Sequence, residues 1–249
     1  MLGQSIWWSG LALEACVLSR GLRGRLVFRY PVFYSYICFV LLQSILRFSA
    51  YRGRRELYRD VFWITEVLGI LIGCAIVFEI YRIALHDYPG TARMARVVLA
   101  FVFVSALAKA LTAVAKDPGW WQGASLLEIE RSLRTVQGVA IIALVAVLLF
   151  YGIPFGRNLR GILIGYGIFI GVRIISLALG SPSGVDFWYY AYSAVYPLVL
   201  IIWLTHLWSY QPGRQYATAR LEQDYQSLAT ATRRRLEGAR GYLARAVRS

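Results

Sequence analysis

"VFWITEVLGILIGCAIVFEIYR", residues 61–82, decides the fold class. At 1.5 Å per residue this apolar run has the length of a helix crossing a hydrocarbon core about 30 Å thick. Two glutamates, Glu66 and Glu79, interrupt it. A charge in the middle of a span costs about 2.5–3.5 kcal/mol on insertion scales, so such a side chain turns into the bundle and finds a partner. The two glutamates lie about 20 Å apart along the axis and about 140° apart around it, so they do not share a site. Glu79 is followed three residues later by Arg82 and reads as an interfacial ion pair at the inner boundary. Glu66 shares a face with Gly69 and Gly73, a small-residue stripe that lets a second helix approach, and is expected to point inward.

The same pattern recurs along the chain. Of 249 residues, 58% are hydrophobic and 16% charged, with mean hydropathy +0.54, whereas soluble domains carry about 25% charged residues. Seven apolar blocks stand out, at 5–20, 31–50, 61–82, 97–116, 134–153, 161–180 and 187–209. The expected fold is all-α: a polytopic integral membrane bundle of seven transmembrane helices over 1–210, followed by a basic amphipathic tail. The first block, interrupted by Glu14, reads as a signal-anchor helix. "DFWYYAY" (186–192) and "WLTHLWSY" (203–210) flank the last block as aromatic belts, and Pro197 should kink it. The glycines at 161, 165, 167 and 171 read as packing stripes.

The net charge is +14, from 27 Lys+Arg against 13 Asp+Glu. Most of the basic residues lie between and after the apolar blocks, and no nucleic-acid motif accompanies them. The lipid bilayer is the expected partner, and nucleic acid is not. With the N-terminus outside, the inner segments hold 17 of these basic residues and the outer segments 8, while Lys109 and Arg173 fall within spans. The positive-inside rule therefore places the C-terminus in the cytoplasm and the chain in the inner (plasma) membrane. "YRGRRELYRD" (51–60), on the outer side, runs against this count. Residues 211–249 hold eight arginines against Glu222, Asp224 and Glu237, with Tyr225, Leu228, Leu236 and Leu243 at near-helical spacing. Docking on anionic lipid headgroups is the leading expectation for this tail. A protein partner, self-association or a disordered tail are the alternatives.

Chemistry has few places to reside. Cys16, Cys38 and Cys74 form no metal or disulfide pattern, and two histidines, His86 and His206, are too few for ordinary metal or haem ligation. No catalytic residue, metal or cofactor is expected, because phosphate-loop, zinc-protease and serine-elbow motifs are all absent. The last block has no lysine for a retinal Schiff base, and the third ends "FEIYRI" without a receptor-type acidic-Arg-aromatic triplet.

What remains is a set of polar groups at matched depth in the outer half. Gln43 and Arg47 share a face with Tyr36. Lys109 lies on a stripe with Ser105, Thr112 and Lys116. Gln137 lines up with Glu130 and Arg134, and Arg173 with Tyr166, Phe169 and Ser176. Gln43, Arg47, Glu66, Lys109, Gln137 and Arg173 are the candidate ligand-binding residues. If they converge, they make a net-positive, aromatic-lined pocket open to the outside, suited to an anionic or polar ligand or a lipid headgroup. The alternative is structural, with each cation snorkelling or pairing to hold helices in register. The expected function is a bacterial-type sensory or regulatory membrane module that binds a ligand. A small-solute or ion transporter using the same charges, or a structural subunit without a ligand, are the other readings.

Overall fold

The computed structural model describes residues 2–53, 55–116, 124–153, 156–179, 185–210 and 219–246, and among them every regular element is helical. Eight helices follow in order: α1 Leu2–Arg23, α2 Pro31–Gly53, α3 Arg55–Ala84, α4 Pro89–Lys116, α5 Ala124–Phe150, α6 Arg157–Leu179, α7 Val185–His206 and α8 Ala219–Ala246. Five are long and apolar enough to cross a membrane, over Pro31–Arg52, Leu57–Ala84, Pro89–Lys109, Leu127–Phe150 and Arg157–Ala178. This is an integral membrane type of chain.

Local chemistry sets the helix ends. Pro31 and Pro89 open α2 and α4, where a missing N–H costs nothing. Gly152, at φ 61°, closes α5. Its N–H reaches the Leu149 carbonyl at 3.2 Å, and the Ile153 N–H reaches Leu148 at 2.9 Å, the paired bonds of a Schellman end. The basic stretch 51–60 is mostly helix rather than loop, because α2 runs on to Gly53 and α3 begins at Arg55. Likewise α4 begins at Pro89 and α5 at Ala124, well before the apolar blocks at 97 and 134, since amphipathic turns extend both helices past the purely apolar segments.

The helices α1, α2, α3, α5, α6 and α7 form a closed ring, with α1 touching α7 and α3 also reaching α6 across the middle. α4 packs outside this ring against α3 and α5, and α8 packs against α4. The core includes Phe33, Ile37, Ile76, Leu144, Tyr166 and Trp203, all essentially inaccessible. Outward-facing apolar side chains such as Phe101, Ile142 and Leu149 are what a lipid-solvated surface requires.

Glycines set the closest approaches, as the stripes of α6 and α3 predict. A Cβ at Gly165 would strike the Trp203 indole, and one at Gly161 would strike His206, so α6 and α7 meet along a Gly-x-x-x-Gly face. Gly171 faces nothing within 4 Å. Gly165→Ala is therefore expected to cost about 1–3 kcal/mol from overpacking against a buried indole. Gly171→Ala should leave thermal unfolding in detergent unchanged.

Candidate functional site

Four helices bring charged side chains to one end of the bundle, where α2 and α6 finish and α3 and α5 begin. Arg47 comes from α2, Glu66 from α3, Glu130 and Arg134 from α5, and Arg173 from α6. Arg47 Nη2 donates to Glu66 Oε2 at 3.0 Å and to the Phe62 carbonyl at 3.0 Å, while its Nε donates to the Thr65 hydroxyl at 2.9 Å. Its guanidinium also lies 4.2 Å from the centre of the Phe62 ring. With its amide oxygen turned toward Arg47, Gln43 accepts from Nη2 and Nη1 at 2.7 and 2.9 Å.

On the other side, Arg173 grips Glu130 with two parallel bonds, Nε to Oε1 at 2.6 Å and Nη2 to Oε2 at 2.8 Å. This bidentate fork is among the stronger charge-assisted geometries. Arg134 stands between the two pairs. Its Nη2 is 3.4 Å from Glu66 Oε1 and its Nε is 3.7 Å from Glu130 Oε1, both longer than the outer contacts. The result is a chain of alternating charge, Arg47–Glu66–Arg134–Glu130–Arg173. Among the described side chains of this chain of contacts, three arginines alternate with two glutamates. Glu130 and Arg134 are sealed from solvent, with side-chain exposures of 1% and 4%, while Arg47 and Arg173 keep about a fifth of theirs. The interior of the network is closed and its two ends are open.

Gln137 continues the polar interior one turn further from the open end. Its Nε2 donates to the Ile70 carbonyl at 2.9 Å and meets the Cys74 sulfur at 3.2 Å, and its Oε1 accepts a long 3.4 Å bond from Tyr166. Gly73 makes this possible, since a Cβ there would collide with the Tyr166 hydroxyl. Tyr36 packs edge-on to Tyr166 with ring centres 6.3 Å apart.

Five of the six residues expected from the sequence thus gather in one region: Gln43, Arg47, Glu66, Gln137 and Arg173. Lys109 does not join them. It lies on the exposed surface of α4, outside the ring, because α4 buries only a narrow face that includes Leu99, Phe103 and Ala106. Ser105 and Thr112 are exposed with it, and the Thr112 hydroxyl merely bonds back to the Lys109 carbonyl at 2.8 Å. The structure adds Glu130 and Arg134 as the central members. Their i, i+4 spacing and common face with Gln137 are visible in the sequence, but Glu130 lies before the apolar block that opens at 134 and Arg134 at its very edge.

The opposite end corrects the reading of Glu79. Its ion pair with Arg82 exists, but at 3.9 Å and with Arg82 largely exposed. The stronger contacts go elsewhere: the backbone N–H groups of Val32 and Phe33 donate to its two oxygens at 2.9 and 2.8 Å. Glu79 is a buried cap on the N-terminus of α2, where first-turn N–H groups have no helical partner and the helix dipole favours an anion. At the same end, the α7 terminus is held by Asn158, whose Nδ2 donates to the His206 and Ser209 carbonyls at 3.0 and 2.9 Å. Arg20 donates to the Trp208 carbonyl at 2.6 Å, and Arg29 to the Tyr210 hydroxyl at 2.7 Å. Tyr30, beside them, has its hydroxyl pushed up to about 12, first by burial and then by Tyr210, and so stays neutral at physiological pH.

Glu14, which the sequence left without a partner, is buried between α1 and α7 and accepts from the Tyr196 hydroxyl at 2.6 Å. No cluster of three or more potential metal ligands occurs among the described residues. The chain matches no family model, no curated protein and no solved structure.

Proposed function

We propose that this protein is a seven-helix plasma-membrane module, N-terminus outside and C-terminus cytoplasmic, that binds an anionic ligand in its outer half and acts as a sensor or regulator. One observation carries the reading: a charge network contributed by four helices, closed at its centre and open at both ends. Arginines at membrane depth are costly unless held by partners, and this network holds its own while keeping an arginine side chain partly accessible at each end. A small carboxylate or phosphate fits those ends, where partly exposed arginine side chains, the usual partners of such anions, stand. The seven-span count is supported by α1 and α7, which close the ring with the apolar spans. The cytoplasmic tail is the output in this reading, in contact with anionic lipid headgroups, with a protein partner or self-association through 211–249 as the other outlet.

The test is thermal unfolding of the detergent-solubilised protein in chloride, phosphate and succinate at constant ionic strength. A site filled to about 100 times its dissociation constant adds about 2.7 kcal/mol. One of these anions should raise the midpoint, Arg47→Gln should abolish that rise, and Arg93→Gln at the other end should preserve it. Equal responses in the wild type and Arg47→Gln would sink the proposal.

A small transporter is the second reading, favoured by the buried Gln137–Tyr166–Tyr36 group beneath the network. It requires solute uptake in proteoliposomes that is lost with Arg173→Gln.

A further inference from the structure

The outer-end network leaves one large feature unused. α8 is a 28-residue helix whose sequence carries six arginines against three acids. Near its start it is tied to the bundle: Asp224 Oδ2 accepts from the Tyr151 hydroxyl at 3.1 Å, and the helix touches α4. Beyond that contact, every described side chain from Gln226 to Glu237 is exposed. These include Leu228 and Leu236, at 65% and 63% exposure. Tyr225, Leu228 and Leu236 fall within about 80° of arc at 100° per residue, so they form one side of the helix. Thr230 and Arg234 lie on the opposite side. Two bare leucines beside a run of Arg233, Arg234 and Arg235 do not describe a helix content in water.

The bundle shows what covers that side. Tyr151 follows the Schellman end of α5, at the same end as the exposed aromatics Phe28, Trp208 and Tyr210. Arg20 stacks on Trp208 at 4.7 Å and Arg29 on Tyr210 at 3.9 Å, an arginine–aromatic rim of the kind found at headgroup level. Leu22, between Arg20 and Arg23 in the last turn of α1, and Phe28, between Arg25 and Arg29 after it, are exposed and repeat the pattern. The Tyr151–Asp224 bond therefore starts α8 in the plane where the aqueous phase meets the acyl chains. The surface within reach is apolar below and anionic at the headgroups, complementary to the leucine side and the arginine run.

We propose that α8 lies along an anionic phospholipid leaflet, with Tyr225, Leu228 and Leu236 in the acyl boundary, the flanking Arg233 and Arg235 against lipid phosphates, and Tyr151–Asp224 as its hinge point on the bundle. This goes beyond the lipid contact already ascribed to the tail by fixing which side inserts and where the helix is pinned. It needs no ligand at the outer end, so it stands or falls independently of that site.

The full-length protein, with Cys16→Ser and Cys38→Ser, is labelled with bimane at Leu228→Cys, Leu236→Cys or Thr230→Cys and placed in liposomes with and without phosphatidylglycerol. In anionic liposomes, a lipid-borne nitroxide should quench the labels at 228 and 236 at least about threefold more than the label at 230, because one side of an in-plane helix is buried. High salt and the triple change Arg233→Gln/Arg234→Gln/Arg235→Gln should both reduce that difference, since the attraction to anionic lipid is screened and charge-dependent. In the unlabelled wild type, tryptic cleavage at Arg233–Arg235 should be slower in anionic than in neutral liposomes. Equal quenching at all three positions, equal cleavage in both liposomes, or high-yield disulfide coupling of two copies through Leu228→Cys would overturn the proposal, the last by showing a self-pairing helix.

Discussion

Glu130→Gln is expected to destabilise the protein by about 3–5 kcal/mol, the cost of leaving buried charge without its partner. The carboxylate is 1% exposed, takes two parallel bonds from Arg173 at 2.6 and 2.8 Å, and lies 3.7 Å from Arg134. A glutamine keeps one oxygen acceptor and the shape but loses the charge that both arginines face. Neither arginine escapes easily, because Arg134 is sealed in the core beside Phe169 and Arg173 is tethered on α6. The measurement is denaturant or thermal unfolding in detergent. A loss below about 1 kcal/mol would mean that the two arginines are compensated from elsewhere.

The second large effect is at the other end. Glu79→Ala removes both acceptors of the Val32 and Phe33 N–H groups, and each buried donor left unmade costs about 1–3 kcal/mol. The expected loss is about 2–6 kcal/mol, with fraying of the first turn of α2 visible as faster amide exchange at residues 32–34. Arg82→Ala should cost less than about 1 kcal/mol, because an exposed partner at 3.9 Å contributes little. The contrast separates a helix cap from an ordinary interfacial ion pair. Equal losses for the two variants would restore the ion-pair reading.

Much of this arrangement is legible in the sequence, and the gaps have physical reasons. Hydropathy reveals the spans because the bilayer imposes a length on each. Helical arithmetic separates Glu66 from Glu79 and points Glu66 inward along Gly69 and Gly73, which face Phe39 of α2 and Tyr166 of α6. Depth is legible too, so Arg47, Gln137 and Arg173 lie at the level of Glu66 as expected. Lateral order is not. Nothing in residues 89–116 says that α4 sits outside the ring, and so Lys109 at the right depth is on the wrong side. Glu130 and Arg134 are obscured because charge itself lowers the hydropathy of the turn they occupy. The role of Glu79 depends on which helix begins beside it, a tertiary fact that no periodicity encodes.

The central claim is that five charged side chains form one network rather than two separate pairs. A double-mutant cycle on Arg47 and Arg173, which are joined through Glu66, Arg134 and Glu130, tests it directly. After removal of either arginine, Glu66 and Glu130 still have one arginine each. Removing both leaves Arg134 to serve Glu66 and Glu130 alone. Arg47→Gln/Arg173→Gln should therefore lose at least about 1 kcal/mol more than the sum of the single losses, a coupling within the range of shared networks. Additivity to within about 0.5 kcal/mol, the behaviour of independent sites, would contradict the account.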